Sequence, residues 1–180
     1  MLLNLWLPVL LSGVAIFFAS FLSWMVLQLH RKDWLKLEKE DEFLKAATEL
    51  NISSGSYMFP GCNSPAEMKT DEYKKKWEAG PCGIITVFSK VNMGRNLALT
   101  FLYFLVVNFC LAYLTILAVD PGAEFMTVFS YVVSAGFMTY FAAIVQHAIW
   151  FHNRIVGHVV EAFAYAVITG AIFAAMWPAA

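Results

Sequence analysis

The chain has 180 residues, 60% of them hydrophobic and only 14% charged. Soluble domains carry roughly 45–50% apolar and about 25% charged residues, so the apolar surplus here calls for a bilayer to face. A net charge of −1 leaves no basic field for nucleic acid, and Cys62, Cys82 and Cys110 form neither a CxxC pair nor a zinc quartet.

Residues 1–29 open the chain with an apolar run from about Leu2 to Leu29. That exceeds the roughly 20 residues a spanning helix needs. The run lacks a positive start and a small-x-small cleavage site, so it reads as a retained transmembrane helix and not as a signal peptide.

Residues 30–96 are a polar loop carrying eleven of the twelve Lys and Arg. LHRKDWLKLEKEDEFLKAATEL looks helical, with Phe43, Leu44, Ala47 and Leu50 at helical spacing, and its start reads as a continuation of the first span. Asn51 and Gly55 are break signals. SYMFPG reads as a short extended piece. TDEYKKKWEAGP predicts a helix with Thr70 as N-cap, acids in its first turn and Gly80-Pro81 as its stop. GIITVFSK, β-branched and apolar, predicts a strand. The loop is therefore expected to be a small mixed α+β domain. Trp34, Tyr57, Phe59, Trp77 and Phe88 give it faces to pack on its own membrane helices or on another protein. It holds no Gly-rich phosphate loop, carboxylate pair or nucleophile motif, so no catalytic residue is assigned.

Residues 97–180 contain three further spans, at 97–119, 125–150 and 155–177. The expected fold class is an all-α membrane protein with four transmembrane helices and the α+β loop domain between helices 1 and 2. The turn VDPGAEF has no base, whereas Arg154 lies in the turn between spans three and four. Positive residues stay cytoplasmic during insertion. The loop and the Arg154 turn are thus expected inside and both termini outside. Trp6 and Trp177 would mark the outer interface, Trp24 and Trp150 the inner one.

The polar residues of these spans are the candidate site. Asn108, near the middle of span two, needs a partner on another helix. In span four, Ala162, Ala166, Gly170 and Ala174 form a small-residue stripe that lets a helix approach closely, and Glu161, Tyr165 and Thr169 make a second stripe. Span one offers Ser12, Ala15, Ala19 and Ser23 to fill that groove. Span three carries Gly136, Tyr140, Ala143 and His147 on one face. The stretch QHAIWFHNRIVGHVVEAF (146–163) holds three of the four histidines. His147 and His158 flank a short turn at similar depth, with Glu161 one turn deeper, so Gln146, His147, His158 and Glu161 are expected to converge. An intramembrane carboxylate costs on the order of 3 kcal/mol at a helix centre and needs a partner; Arg154 or a histidine can supply it. The cluster is expected to be structural, with no cofactor. Ligation of a haem, pigment or metal by His147 and His158, with Glu161 as a third metal ligand, is the alternative.

The strings YMFPG (57–61), GPCGIITVF (80–88), NMGRNL (92–97) and QHAIW (146–150) resemble a family of small, uncharacterised bacterial four-span membrane proteins with YMFP-like and QxxIW motifs. The resemblance covers nearly the whole chain. It implies bacterial origin and a shared architecture, and no activity; the expected location is the bacterial inner membrane. The expected function is a non-catalytic accessory, assembly or stabilising subunit of a larger inner-membrane complex, contacting lipid and other subunits or a second copy. The alternative is a cofactor- or metal-binding membrane protein.

Overall fold

The computed structural model describes residues 2–179. They fall into two compact units: Lys36–Asn92, and the remainder, which contains the long helices.

Four helices are long and apolar enough to cross a membrane: Leu2–Val26, Met93–Ala118, Phe125–Phe151 and Val156–Ala175. The first begins as a 3-10 turn, continues as α1 (Trp6–Phe21) and ends in a π-helical turn at Leu22–Val26. The others are α4, α5 and α6 in that order. Span one therefore stops at Val26, before Leu29, because Gln28 takes a left-handed conformation (φ 50°) that no helix can pass through.

Within this unit α5 packs most extensively on α6, and α1 packs on both α4 and α6. The close α5–α6 approach follows from the small-residue stripe. Ala162, Ala166, Gly170 and Ala174 are all buried inside the chain. A Cβ on Gly136 would lie 3.4 Å from Ala166, and a Cβ on Gly170 only 2.6 Å from Val133 Cγ2. At this part of the stripe the occupant is α5, with Phe129, Val133 and Gly136, where span one was the expected filler.

The two ends of the bundle interior differ. Near the Asp120 turn lies an apolar cluster: Leu5, Ala112, Val119, Val128, Val132, Phe173 and Ala174. That end is tied by Trp177 Nε1 donating to the Asp120 carbonyl (2.9 Å) and Gly122 N to the Pro178 carbonyl (2.9 Å). Further along, Ile16, Phe104 and Tyr165 form a second cluster, with Tyr165 edge-on to both Phe104 and Tyr140.

The unit Lys36–Asn92 follows the sequence expectation in its elements. It contains α2 (Glu40–Glu49), β1 (Gly55–Phe59), α3 (Asp71–Ala79) and β2 (Gly83–Val87). The strands are antiparallel, in register from Gly55↔Val87 to Phe59↔Gly83. Thr70 caps α3, its hydroxyl accepting from Tyr73 N at 3.3 Å, and Gly80 follows the helix with φ 58°. Tyr73 donates to the Pro60 carbonyl (3.4 Å), tying α3 to the end of β1. The long helix expected from LHRKDWLK onward is shorter: residues 30–39 are turns and coil, and helix begins only at Glu40.

Candidate functional site

The site begins where α1 stops. Leu29 N bonds back to the Ser23 carbonyl (3.1 Å), Arg31 N to Gln28 and Asp33 N to His30 (3.0 Å each). These turns fold the chain back on the helix end. His30 is thereby only 3% exposed, although its neighbours Arg31 and Lys32 are open to solvent. Trp24 stacks on its ring (4.1 Å between centroids, 18°), and the His158 ring lies 4.4 Å away. Glycine at 157 makes room: a Cβ there would fall 2.8 Å from His30 Cε1.

The polar atoms form a chain. Arg154 Nε stands 3.9 Å from Asp33 Oδ1, and Asp33 Oδ2 lies 2.7 Å from His30 Nδ1. His30 Nε2 is 3.2 Å from Glu161 Oε2, and His158 Nδ1 is 3.9 Å from that same oxygen. Glu161 is 8% exposed. With Asp33 taking the Nδ1 proton, the His30 tautomer and ring orientation are fixed and Nε2 is directed at Glu161. Yet His30 Nε2 and Glu161 Oε1 close no hydrogen bond.

A polar seam continues inward from Glu161 along α6. Tyr165 and Thr169, one and two turns on, are both buried. The Tyr140 hydroxyl faces Thr169 and Asn108. Asn108 Nδ2 donates within its own helix to Phe104 (2.8 Å), while its Oδ1, the Tyr140 hydroxyl and the Thr169 hydroxyl remain without a hydrogen bond.

Of the residues expected to converge, the structure brings together His158 and Glu161. His147 and Gln146 do not join them: both are exposed, and the His147 ring lies against Phe151 at 4.5 Å. The reason is that the neighbour of Glu161 at this end of α6 is the segment after α1, so the face of α5 that buries Gly136 is open at Ala143 and His147. Arg154 partners Asp33, and Glu161 takes His30 as its partner. His30 was the residue sequence reasoning missed. The H-x-x-D spacing of His30 and Asp33, just past the end of the first apolar run, was the available signal.

No family model, curated protein or solved structure matches this chain.

Proposed function

We propose that this chain is a non-catalytic accessory, assembly or stabilising subunit of a larger bacterial inner-membrane complex, of the respiratory, photosynthetic or monooxygenase kind. The observation that supports this reading is the unit Lys36–Asn92. Among its residues, all of them described, none is buried. Leu50, Met58, Phe88 and Val91 are more than half exposed, and Trp77 nearly so. A small unit gains its stability from the area it buries, and this one buries little by itself. Exposed apolar side chains of that kind leave surface for a partner to cover. Another subunit, or a second copy, would supply the missing burial, and lipid would surround the four long helices.

Extraction of native membranes in mild detergent, followed by native mass spectrometry, is expected to show the chain with at least one further polypeptide. A monomer in which amides of residues 36–92 exchange rapidly throughout would defeat the proposal.

The orientation proposed is the one the basic residues favour, with residues 30–96 cytoplasmic and both termini outside. Cys62 and Cys82 are exposed free thiols in that loop. A membrane-impermeant maleimide is expected to leave both unlabelled in intact cells and to label both after lysis. Labelling from outside intact cells would reverse the orientation.

A further inference from the structure

We infer that His30, His158 and Glu161 form a binding site for one divalent first-row transition-metal ion, of the zinc or ferrous iron type. This is independent of membership in a complex, because every group involved lies in the helical unit of this chain.

Geometry carries the inference. Each of the three residues offers one ligand atom, and these atoms all lie within 4.8 Å of one another. Metal–nitrogen and metal–oxygen bonds of about 2.0–2.2 Å, in tetrahedral arrangement, separate ligand atoms by roughly 3.3–3.6 Å. The Glu161 oxygen is already 3.2 Å from one imidazole nitrogen and 3.9 Å from the other. Small side-chain rotations close the set around one ion.

Burial supplies a second, separate observation. His30 and Glu161 are more than nine-tenths buried, and His30 Nε2 and Glu161 Oε1 have no hydrogen-bond partner. Because Asp33 engages Nδ1, a neutral His30 turns a bare lone pair toward a carboxylate oxygen 3.2 Å away. Two lone pairs repel at that distance unless a proton or a metal ion stands between them. An ion between His30 Nε2 and Glu161 Oε2 relieves the repulsion and gives the buried imidazole nitrogen its partner.

The outer shell matches a metal site as well. Metal-bound histidines characteristically donate their other N–H to a carboxylate, which orients the ring and raises its basicity. Asp33 does this for His30 at 2.7 Å, and Arg154 in turn stands beside Asp33. Trp24 walls the ring, and Gly157 leaves the space that the ring occupies. A groove of about 560 Å³, lined by Trp24, Met25, Gln28, His30 and Arg31, reaches the His30 side of the cluster.

The donor set selects the class of ion. Two imidazoles and one carboxylate suit zinc, ferrous iron, cobalt or manganese. Calcium and magnesium require oxygen ligands in larger number, and cuprous copper prefers sulfur. Three protein ligands leave at least one coordination position for water or another small ligand.

The test uses full-length protein in mild detergent, stripped with a chelator and titrated with Co²⁺ by visible absorption, with Zn²⁺ as competitor. One Co²⁺ per chain is expected, displaced by one equivalent of Zn²⁺ and untouched by excess Mg²⁺ or Ca²⁺. His30→Ala and His158→Ala should abolish the one-to-one band. His147→Ala and His152→Ala should leave it unchanged. Asp33→Asn, which touches no metal, should weaken binding about 10–100-fold. Glu161→Gln keeps the side-chain volume and should weaken it at least about tenfold. If the alanine variants lose their helical fold, the Asn and Gln variants decide. The inference is overturned by failure to saturate at one Co²⁺ per chain. It is equally overturned if His30→Ala and His158→Ala, or the Asn and Gln variants where those decide, bind like the parent.

Discussion

Glu161→Ala is expected to destabilise the metal-free protein by about 2 kcal/mol, the middle of what leaving a buried polar group with nothing to face costs. In a chain of this length that corresponds to a fall in melting temperature of roughly 4–8 °C. The loss has two sources. His30 Nε2, 3.2 Å from the carboxylate, is left buried with nothing to face, and the attachment of the post-α1 segment to α6 goes with it. Glu161→Gln should cost about half as much, because an amide can still bond to the imidazole. The decisive measurement is a double-mutant cycle of His30→Ala and Glu161→Ala by thermal melting in detergent. Coupling of at least about 1 kcal/mol is expected for a contact of this kind. Additivity within roughly 0.5 kcal/mol would mean that the pair does not hold the bundle end together.

Gly170→Leu is the second large effect. Even the first added carbon would stand 2.6 Å from Val133 Cγ2 and 3.3 Å from the Phe129 carbonyl oxygen. The backbone of α5 cannot retreat without opening the contact that buries Ala166 and Ala174. Overpacking of this sort costs about 1–3 kcal/mol, and a leucine on a helix–helix seam belongs at the upper end. The control is Ala175→Leu, on the same helix at an exposed position. It should melt within about 1 °C of the parent. Equal melting of the two variants would show that the stripe does not set the α5–α6 distance.

Much of this architecture is written locally. The long helices announce themselves because about 20 apolar residues have only one economical way to satisfy their backbone groups in lipid. Thr70, Gly80 and the β-branched GIITV string act within a few residues of themselves, so α3 and β2 appear where the sequence predicts them. The candidate site is different in kind. Glu161 and His158 were legible as ionisable groups in an apolar run. Their partner was not, because His30 sits in LHRKD, which reads as a solvated positive flank. Only the left-handed Gln28 and the turns that follow it return the chain to α6. Nothing in the local composition compels that reversal. His147 fails for the complementary reason. Its helical phase matches Gly136, but phase says which face a residue shares and not how far along that face a neighbour extends.

The His30–Glu161 contact also orders events in time. A ribosome adds roughly 5–20 residues per second, so on the order of ten seconds separate the synthesis of the first of these residues from that of the second. Throughout that interval α1 exists without α6. His30, buried in the finished bundle against His158 and Glu161, is then in want of a helix that has not been made. α6, made later, supplies the cover for His30, and until it arrives any surface able to take that polar group competes with α6 for it.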